Sequence, residues 1–154
     1  MEVNHYLADR LEEVLINGKW ISNTNFKEQL LTLSWTQAVQ KIESCNTIAD
    51  LTFHINYYIA GLISVLNGGA LDIRDTYSFD APPITSEQDW EDLVNKFYLD
   101  AEVFIEQVRN MTTEEIRSDF VDKKYGTYWK NIDAIIEHCY YHLGQIVLLR
   151  KRLH

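Results

Sequence analysis

The scarcity of helix-breaking residues constrains this chain more than any other feature. Its 154 residues include 6 Gly and 2 Pro, and the two prolines stand side by side at Pro82 and Pro83. Between these breaks, apolar residues recur three and four positions apart, which is the spacing of one face of an α-helix. The pattern therefore predicts an all-α protein.

Capping and turn residues divide this pattern into four long helical segments. We predict these helices over residues 2–17, from Asn46 or Thr47 to residue 66, over residues 86–110 and over residues 128–153. The second of them is apolar nearly all round, which predicts a central position in the fold.

The remaining segments are shorter or irregular. A helical segment is predicted over residues 26–43 with a break near Ser34, and another short helix is predicted to begin at Thr112. Residues 70–85, after the second long helix, show no helical period and form an unusually long connection. Four long helices with one long crossover are typical of a four-helix bundle.

Length and charge limit the classes of function. A chain of 154 residues is expected to form one domain over residues 1–154. It carries 14 Lys and Arg against 23 Asp and Glu, a formal net charge of −9 at pH 7. Outside its last few residues it lacks the clustered basic side chains that bind nucleic-acid phosphates, so no nucleic-acid partner is expected.

Neither a membrane segment nor a secretion signal is predicted. The longest apolar stretch, residues 59–66, is much shorter than the ~20 residues that span a bilayer. The first residues lack the basic and apolar regions of a signal peptide. We therefore expect a cytosolic protein with no membrane partner, in which Cys45 and Cys139 are reduced and buried thiols.

Three of the five histidines lie within apolar helical stripes. His138 and His142 are four residues apart on the fourth long helix, so both imidazoles project from one face, ~6 Å apart along the axis. His54 lies on an inward stripe of the second long helix. Three imidazoles suit Zn²⁺, Ni²⁺ or Fe²⁺, and three protein ligands leave positions open for water or substrate. The sequence thus predicts a divalent-metal site.

Two polar residues near these histidines are predicted to support the site. Gln145 follows His142 by three residues, and Asp50 precedes His54 by one turn, so each is expected to hydrogen-bond a ligand imidazole or a bound water. Cys139 points about 100° away from its helical neighbour His138 and is not expected to bind the ion.

Two further predictions concern the loop after the second long helix and the histidines near the ends of the chain. The loop over residues 70–85 is predicted to cover the open coordination side, with Tyr77, Phe79 and Asp80 lining it. His5 and His154, near the ends of the chain, are expected to be exposed.

Other metal schemes fit this sequence less well. A di-iron carboxylate bundle needs two Glu-x-x-His pairs on facing helices, and the chain has that spacing only from Glu2 to His5. A metalloprotease helix needs Glu immediately after its first histidine, where this chain has Cys139. Two readings remain open beside a catalytic metal site: histidines that are ordinary hydrogen-bonded core residues, and haem held by two of them.

Two segments resemble the DinB-like, or YfiT-like, metal-binding four-helix bundles. One is residues 52–58 around His54, and the more telling one is the His-x-x-x-His-Leu-Gly-Gln-Ile sequence of residues 138–146. The resemblance spans the whole chain in helix order and implies that His54, His138 and His142 bind a divalent ion, often nickel or zinc. It also implies a homodimer.

What this resemblance implies about activity is broader. Some members of the family are transferases or isomerases that use the metal to activate the sulfur of a low-molecular-weight thiol. This leads to two hypotheses. The first is a metal-dependent enzyme that acts on a small-molecule substrate, with a thiol as co-substrate. The second is a non-catalytic helical bundle in which the ion stabilises the fold and the protein serves as a binding module.

Overall fold

The computed structural model describes residues 2–153, and its regular structure in that range is helical apart from one isolated bridge between Asp119 and Thr127. The all-α prediction is confirmed. Residues 2–153 contain seven α-helices: α1 (Val3–Glu12), α2 (Phe26–Leu30), α3 (Trp35–Ala38), α4 (Ile48–Leu66), α5 (Glu87–Asn110), α6 (Thr113–Arg117) and α7 (Tyr128–Arg150).

The first helical segment ends where the sequence predicted, at Asn17, but through a π-helix over Glu13–Asn17 that continues α1. Gly18 follows with φ −83°, so it does not use the left-handed conformation that glycine favours at many helix ends. A Cβ there would lie 2.5 Å from the Cα of Glu13. The chain needs glycine at this position because the backbone doubles back closely.

The helix predicted over residues 26–43 is largely absent, because helical structure is limited to the short α2 and α3. The predicted break at Ser34 is confirmed: its hydroxyl accepts from the backbone N–H of Gln37, whose side chain accepts in turn from the N–H of Ser34. This reciprocal pair of bonds starts α3.

The four longest helices pack in a ring. Helix α4 contacts α5 and α7, and α1 contacts the same two helices from the other side. Buried apolar side chains from all four join one hydrophobic cluster, and α4 is among the most buried elements, as its composition predicted. No helix within residues 2–153 combines the length and apolar character that crossing a membrane would require.

The connection between α4 and α5 runs over residues 67–86 and contains one turn of 3-10 helix at Asp75–Tyr77. It leaves α4 at Gly68, whose φ of +84° is readily available to glycine. Ile73 then packs so close to α4 that a Cβ on Gly61 would lie 2.5 Å from its Cγ1 atom. The crossover therefore lies against α4, the helix that carries His54.

The two cysteines differ, which corrects one prediction. Cys139 is buried in the core, but Cys45 lies in an exposed loop and is not a buried thiol. Residues 43–45 form a turn and a bend at the surface shortly before α4. Both thiols are free.

Candidate metal centre

The packing of α4 against α7 brings three imidazole rings together. The Nε2 atom of His138 lies 3.1 Å from Nε2 of His54 and 2.9 Å from Nε2 of His142. One ring nitrogen from each of the three residues lies within 4.8 Å of the other two. The predicted convergence of His54, His138 and His142 is thus confirmed.

Hydrogen bonds at the opposite ring nitrogens orient two of these imidazoles. Nδ1 of His54 lies 3.3 Å from the backbone carbonyl oxygen of Ser78, and Nδ1 of His142 lies 2.6 Å from Oε1 of Gln145. Both oxygens are acceptors, so each Nδ1 must carry the proton and donate it. In the neutral imidazole, Nε2 then presents a lone pair.

This arrangement places electron pairs opposite one another. Nε2 of His54 and Nε2 of His142 both direct a lone pair towards Nε2 of His138. A proton on that nitrogen of His138 can be donated along one of these directions only, which leaves the other contact without a hydrogen. A cation between the three nitrogens satisfies all of them at once.

The spacing of the nitrogens fits a first-row divalent ion. Nitrogens that bind one ion at about 2.1 Å, with angles of about 90–110° between them, lie about 3.0–3.4 Å apart. Of the two short Nε2 separations, 3.1 Å lies within this range and 2.9 Å lies just below it. At these two contacts the side chains therefore need little rearrangement to bind an ion.

The protonation state of the rings also suits a metal. Burial, and then the neighbouring His142 and His54, lower the pKa of His138 to about 4. Burial is likewise the main cause of the lowered pKa values of His54 and His142. Because lowered values keep the imidazoles neutral at pH 7, their lone pairs are available for coordination.

The centre lies at the margin of the core. His54 and His142 are each 6 % exposed, whereas His138 is partly exposed. The deepest face of α7 instead carries apolar residues and Cys139, whose pKa is raised to about 12 by burial. As predicted, Cys139 is not part of the histidine group.

The crossover contacts the centre at His54, but only one of its three residues predicted to line the site contacts a histidine. The ring of Phe79 stacks on His54 with a centroid distance of 4.0 Å and an interplanar angle of 10°. The side chains of Tyr77 and Asp80 are exposed and do not line the pocket beside the histidines. The loop covers the ring through Phe79 and through the carbonyl of Ser78.

Of the two predicted supporting residues, the structure brings only Gln145 to the centre. Asp50 accepts a hydrogen bond of 2.8 Å from the backbone N–H of Thr47 and so caps the start of α4. The prediction that Asp50 supports His54 is therefore wrong. The Thr-x-x-Asp spacing before an apolar run is itself a capping signal.

Sequence reasoning missed the carboxylate that does lie near the histidines. Asp75, in the 3-10 turn of the crossover, accepts a 2.7 Å hydrogen bond from the hydroxyl of Tyr58. Its negative charge raises the pKa values of His54 and His138, which opposes the larger lowering by burial. Tyr58 packs edge-on against both rings. The irregular loop hides this proximity, because no periodicity in its sequence relates it to α4.

A pocket of about 570 Å³ opens beside His138 and is also lined by Tyr58 and Asp75. This volume lies within the range of small-molecule sites.

Two histidines near the ends of the chain were predicted to be exposed. His5 is exposed on α1, as expected, and His154 lies outside the described residues.

Comparisons of this chain with models of known families, with curated proteins and with solved structures found no match. Its function is therefore inferred from the geometry of the site.

Proposed function

We propose that this protein is a divalent-metal-dependent enzyme whose ion is held by His54, His138 and His142. The observation that carries the proposal is the convergence of three Nε2 atoms. Two of them present lone pairs, because Nδ1 donates to Ser78 in His54 and to Gln145 in His142. Zn²⁺, Ni²⁺ and Fe²⁺ all accept three imidazoles, so availability would decide among them.

An ion bound in this way supports catalysis better than a closed structural site would. Three protein ligands leave at least one coordination position for water or substrate. A divalent ion there lowers the pKa of a bound water or thiol, which supplies a nucleophile at neutral pH. The pocket beside His138 gives a small molecule access to that side of the centre.

We further propose that the fold is the four-helix bundle with a long crossover found in DinB-like proteins. The order of the long helices, their ring of contacts and the connection over residues 67–86 support this proposal, together with the histidine spacing of the sequence. On this proposal the reaction is a thiol-dependent transfer or isomerisation, and the protein is a cytosolic homodimer of single-domain chains without a nucleic-acid or membrane partner.

Metal analysis tests the core of the proposal. Protein purified without a metal-affinity tag is expected to contain about one divalent ion per chain, and His138→Ala is expected to lose it. His5→Ala is the matched control, because His5 is an exposed histidine on α1. Equal metal content in the two variants would overturn the proposal.

One observation favours a second candidate, a metal that only stabilises the fold. An ion at this position would join α4, α7 and, through the bond from His54 to Ser78, the crossover. Removal of the ion by a chelator would then lower the melting temperature. If the melting temperature falls and neither thiols nor substrate analogues alter the spectrum of a cobalt-substituted site, the metal is structural.

A further inference from the structure

The pocket of about 570 Å³ beside the histidines is mostly apolar, and part of its wall runs along α7. Four of its lining residues on α7, from Asn131 to His138, share one helix face, because they are spaced by three, four and seven positions. Seven residues of helix span about 10 Å. The apolar part of the lining is Leu62, Leu71, Ile73, Phe120, Ala134 and Ile135.

Several polar groups of this pocket are hydrogen-bond acceptors. At the end near His138, the hydroxyl of Tyr58 donates its proton to Oδ1 of Asp75, so both residues offer only lone pairs to a ligand. At the other end, the amide nitrogen of Asn131 donates to the carbonyl oxygens of Tyr125 and Thr127, at 3.0 Å and 2.8 Å. The remaining polar atom of Asn131, Oδ1, is an acceptor.

The charge of the lining has one sign. Asp75 is its one acidic residue, and the described residues that line the pocket include no Lys or Arg. Two basic residues precede lining residues in the chain. Arg74 pairs with Asp72 at 3.2 Å. Lys124 pairs with Asp122 at 3.2 Å, and its ammonium nitrogen lies 4.9 Å from the ring centroid of Tyr125, which lines the pocket.

One further basic residue, Lys130, lies next to a lining residue. It precedes Asn131 on α7 and is exposed, and consecutive helical side chains point about 100° apart. A ligand in the pocket therefore meets a carboxylate without a lining cation to compensate it.

From these features we infer that the pocket binds an elongated, largely apolar molecule that carries a primary amine, with the ammonium group placed against Asp75. The apolar body would lie along Ala134 and Ile135, and a hydrogen-bond donor at its far end would reach Oδ1 of Asn131. An ammonium group supplies three donors and a positive charge, which matches acceptors and a carboxylate. Anionic molecules would bind poorly.

This inference adds a substrate class to the proposed function. The reaction at the metal rests on that proposed function, whereas binding of the amine requires only the pocket. A substrate held against Asp75 would have its ammonium end nearest His138, at the margin of the histidine centre, and its apolar body would extend away along α7.

Three probes of nearly equal shape test the inference: 4-phenylbutylamine, 4-phenylbutan-1-ol and 5-phenylpentanoate, which are cationic, neutral and anionic at pH 7. Their dissociation constants are measured by titration calorimetry, with the protein as purified and after dialysis against EDTA. We expect the amine to bind most tightly and the carboxylate most weakly, in both preparations. Equal affinities for the amine and the carboxylate would overturn the inference.

Two variants locate the binding. Asp75→Asn is expected to weaken the amine about tenfold, the size of one charged hydrogen bond, and to leave the alcohol unchanged. Asp80→Asn is the matched control, because it removes the same charge from the same loop at an exposed position outside the pocket. Equal effects of the two substitutions on the amine would show a general charge effect and overturn the inference.

Ala134→Phe provides a second test that does not depend on charge. Ala134 is exposed at the pocket wall, so a larger side chain fills the pocket without disturbing the core. All three probes should then bind more weakly, and unchanged affinities would place the binding elsewhere and overturn the inference. Amine binding that persists in metal-free protein, combined with equal metal content in His138→Ala and His5→Ala, would support the pocket and reject the metal centre.

Discussion

Nδ1 of His142 donates a hydrogen bond of 2.6 Å to Oε1 of Gln145, which lies three residues further along α7. The bond directs Nε2 of His142 towards the other two histidines and makes its imidazole a better electron donor. Gln145 would thus act on a bound ion through the ring it orients, without contacting the ion.

Replacing Gln145 tests this relationship. Gln145→Leu is expected to lower the affinity for Zn²⁺ about 10- to 100-fold, because loss of such a partner frees the ring to rotate and to change tautomer. Gln145→Glu keeps an acceptor oxygen at the same position and should retain the affinity. Competition with a fluorescent zinc chelator measures both variants. Equal losses in the two would mean that the bond does not orient His142.

Two glycines in long helices should respond oppositely to the same substitution. A Cβ added to Gly144 on α7 would have no described atom within 4 Å outside its own stretch of helix, so Gly144→Ala should stabilise the protein by up to about 1 kcal/mol. At Gly61 on α4 the added carbon would lie 2.5 Å from Cγ1 of Ile73. Gly61→Ala should therefore gain nothing, and it should displace Ile73.

Urea unfolding compares the two variants, and titration with 4-phenylbutylamine reports on the pocket that Ile73 lines. Weaker binding is expected in Gly61→Ala alone. The same gain in stability from both substitutions, with unchanged binding, would contradict the close packing of the crossover on α4.

The two thiols should differ in reactivity. Cys45 is exposed, whereas Cys139 is 1 % exposed and its pKa is raised to about 12 by burial. At pH 8 a pKa of about 12 leaves only about one Cys139 in ten thousand as the reactive thiolate. Ellman's reagent is expected to modify one thiol per folded chain and both in denaturant. Cys45→Ser should remove the reaction of the folded protein, and rapid modification in that variant would place Cys139 at the surface.

Stability should fall in alkaline solution, and Tyr98 should contribute to the fall. Burial raises the pKa of Tyr98 to about 12, from 10.0 in an exposed tyrosine. Between these values the unfolded chain has lost the proton and the folded chain retains it. Because the folded state binds more protons, the free energy of unfolding decreases as pH rises from 10 to 12.

Urea unfolding at pH 8, 10 and 11 measures this effect in the wild type and in Tyr98→Phe. The variant loses the hydrogen bond of Tyr98 to the carbonyl oxygen of Lys27 and about 1 kcal/mol at pH 8. Its stability should then fall less steeply above pH 10, although Cys139, with a pKa also raised to about 12, maintains part of the slope. Identical slopes would contradict the raised pKa of Tyr98.

Local signals in the sequence predicted most of the long helices. Thr47, Ser86 and Thr127 each cap a helix through a side-chain hydrogen bond to the third residue beyond it, an interaction within one turn. The segment after Phe26 was predicted poorly, because α2 and α3 are short elements whose ends depend on packing against other helices. The side chain of Trp90, for example, donates to the carbonyl of Leu33 from α5.

The sequence by itself determined that the chain is helical and that His54, His138 and His142 lie on inward-facing stripes, because helical periodicity is a property of local spacing. Only the tertiary structure decided that Ser78 and Asp75 lie near the histidines, and that Phe79 contacts one of them while Tyr77 and Asp80 do not, because the crossover has no period that fixes its path. It also decided that Asp50 caps α4 and that the centre lies at the edge of the core beside a pocket. Contacts between distant segments depend on how the helices pack, and no short-range pattern encodes them.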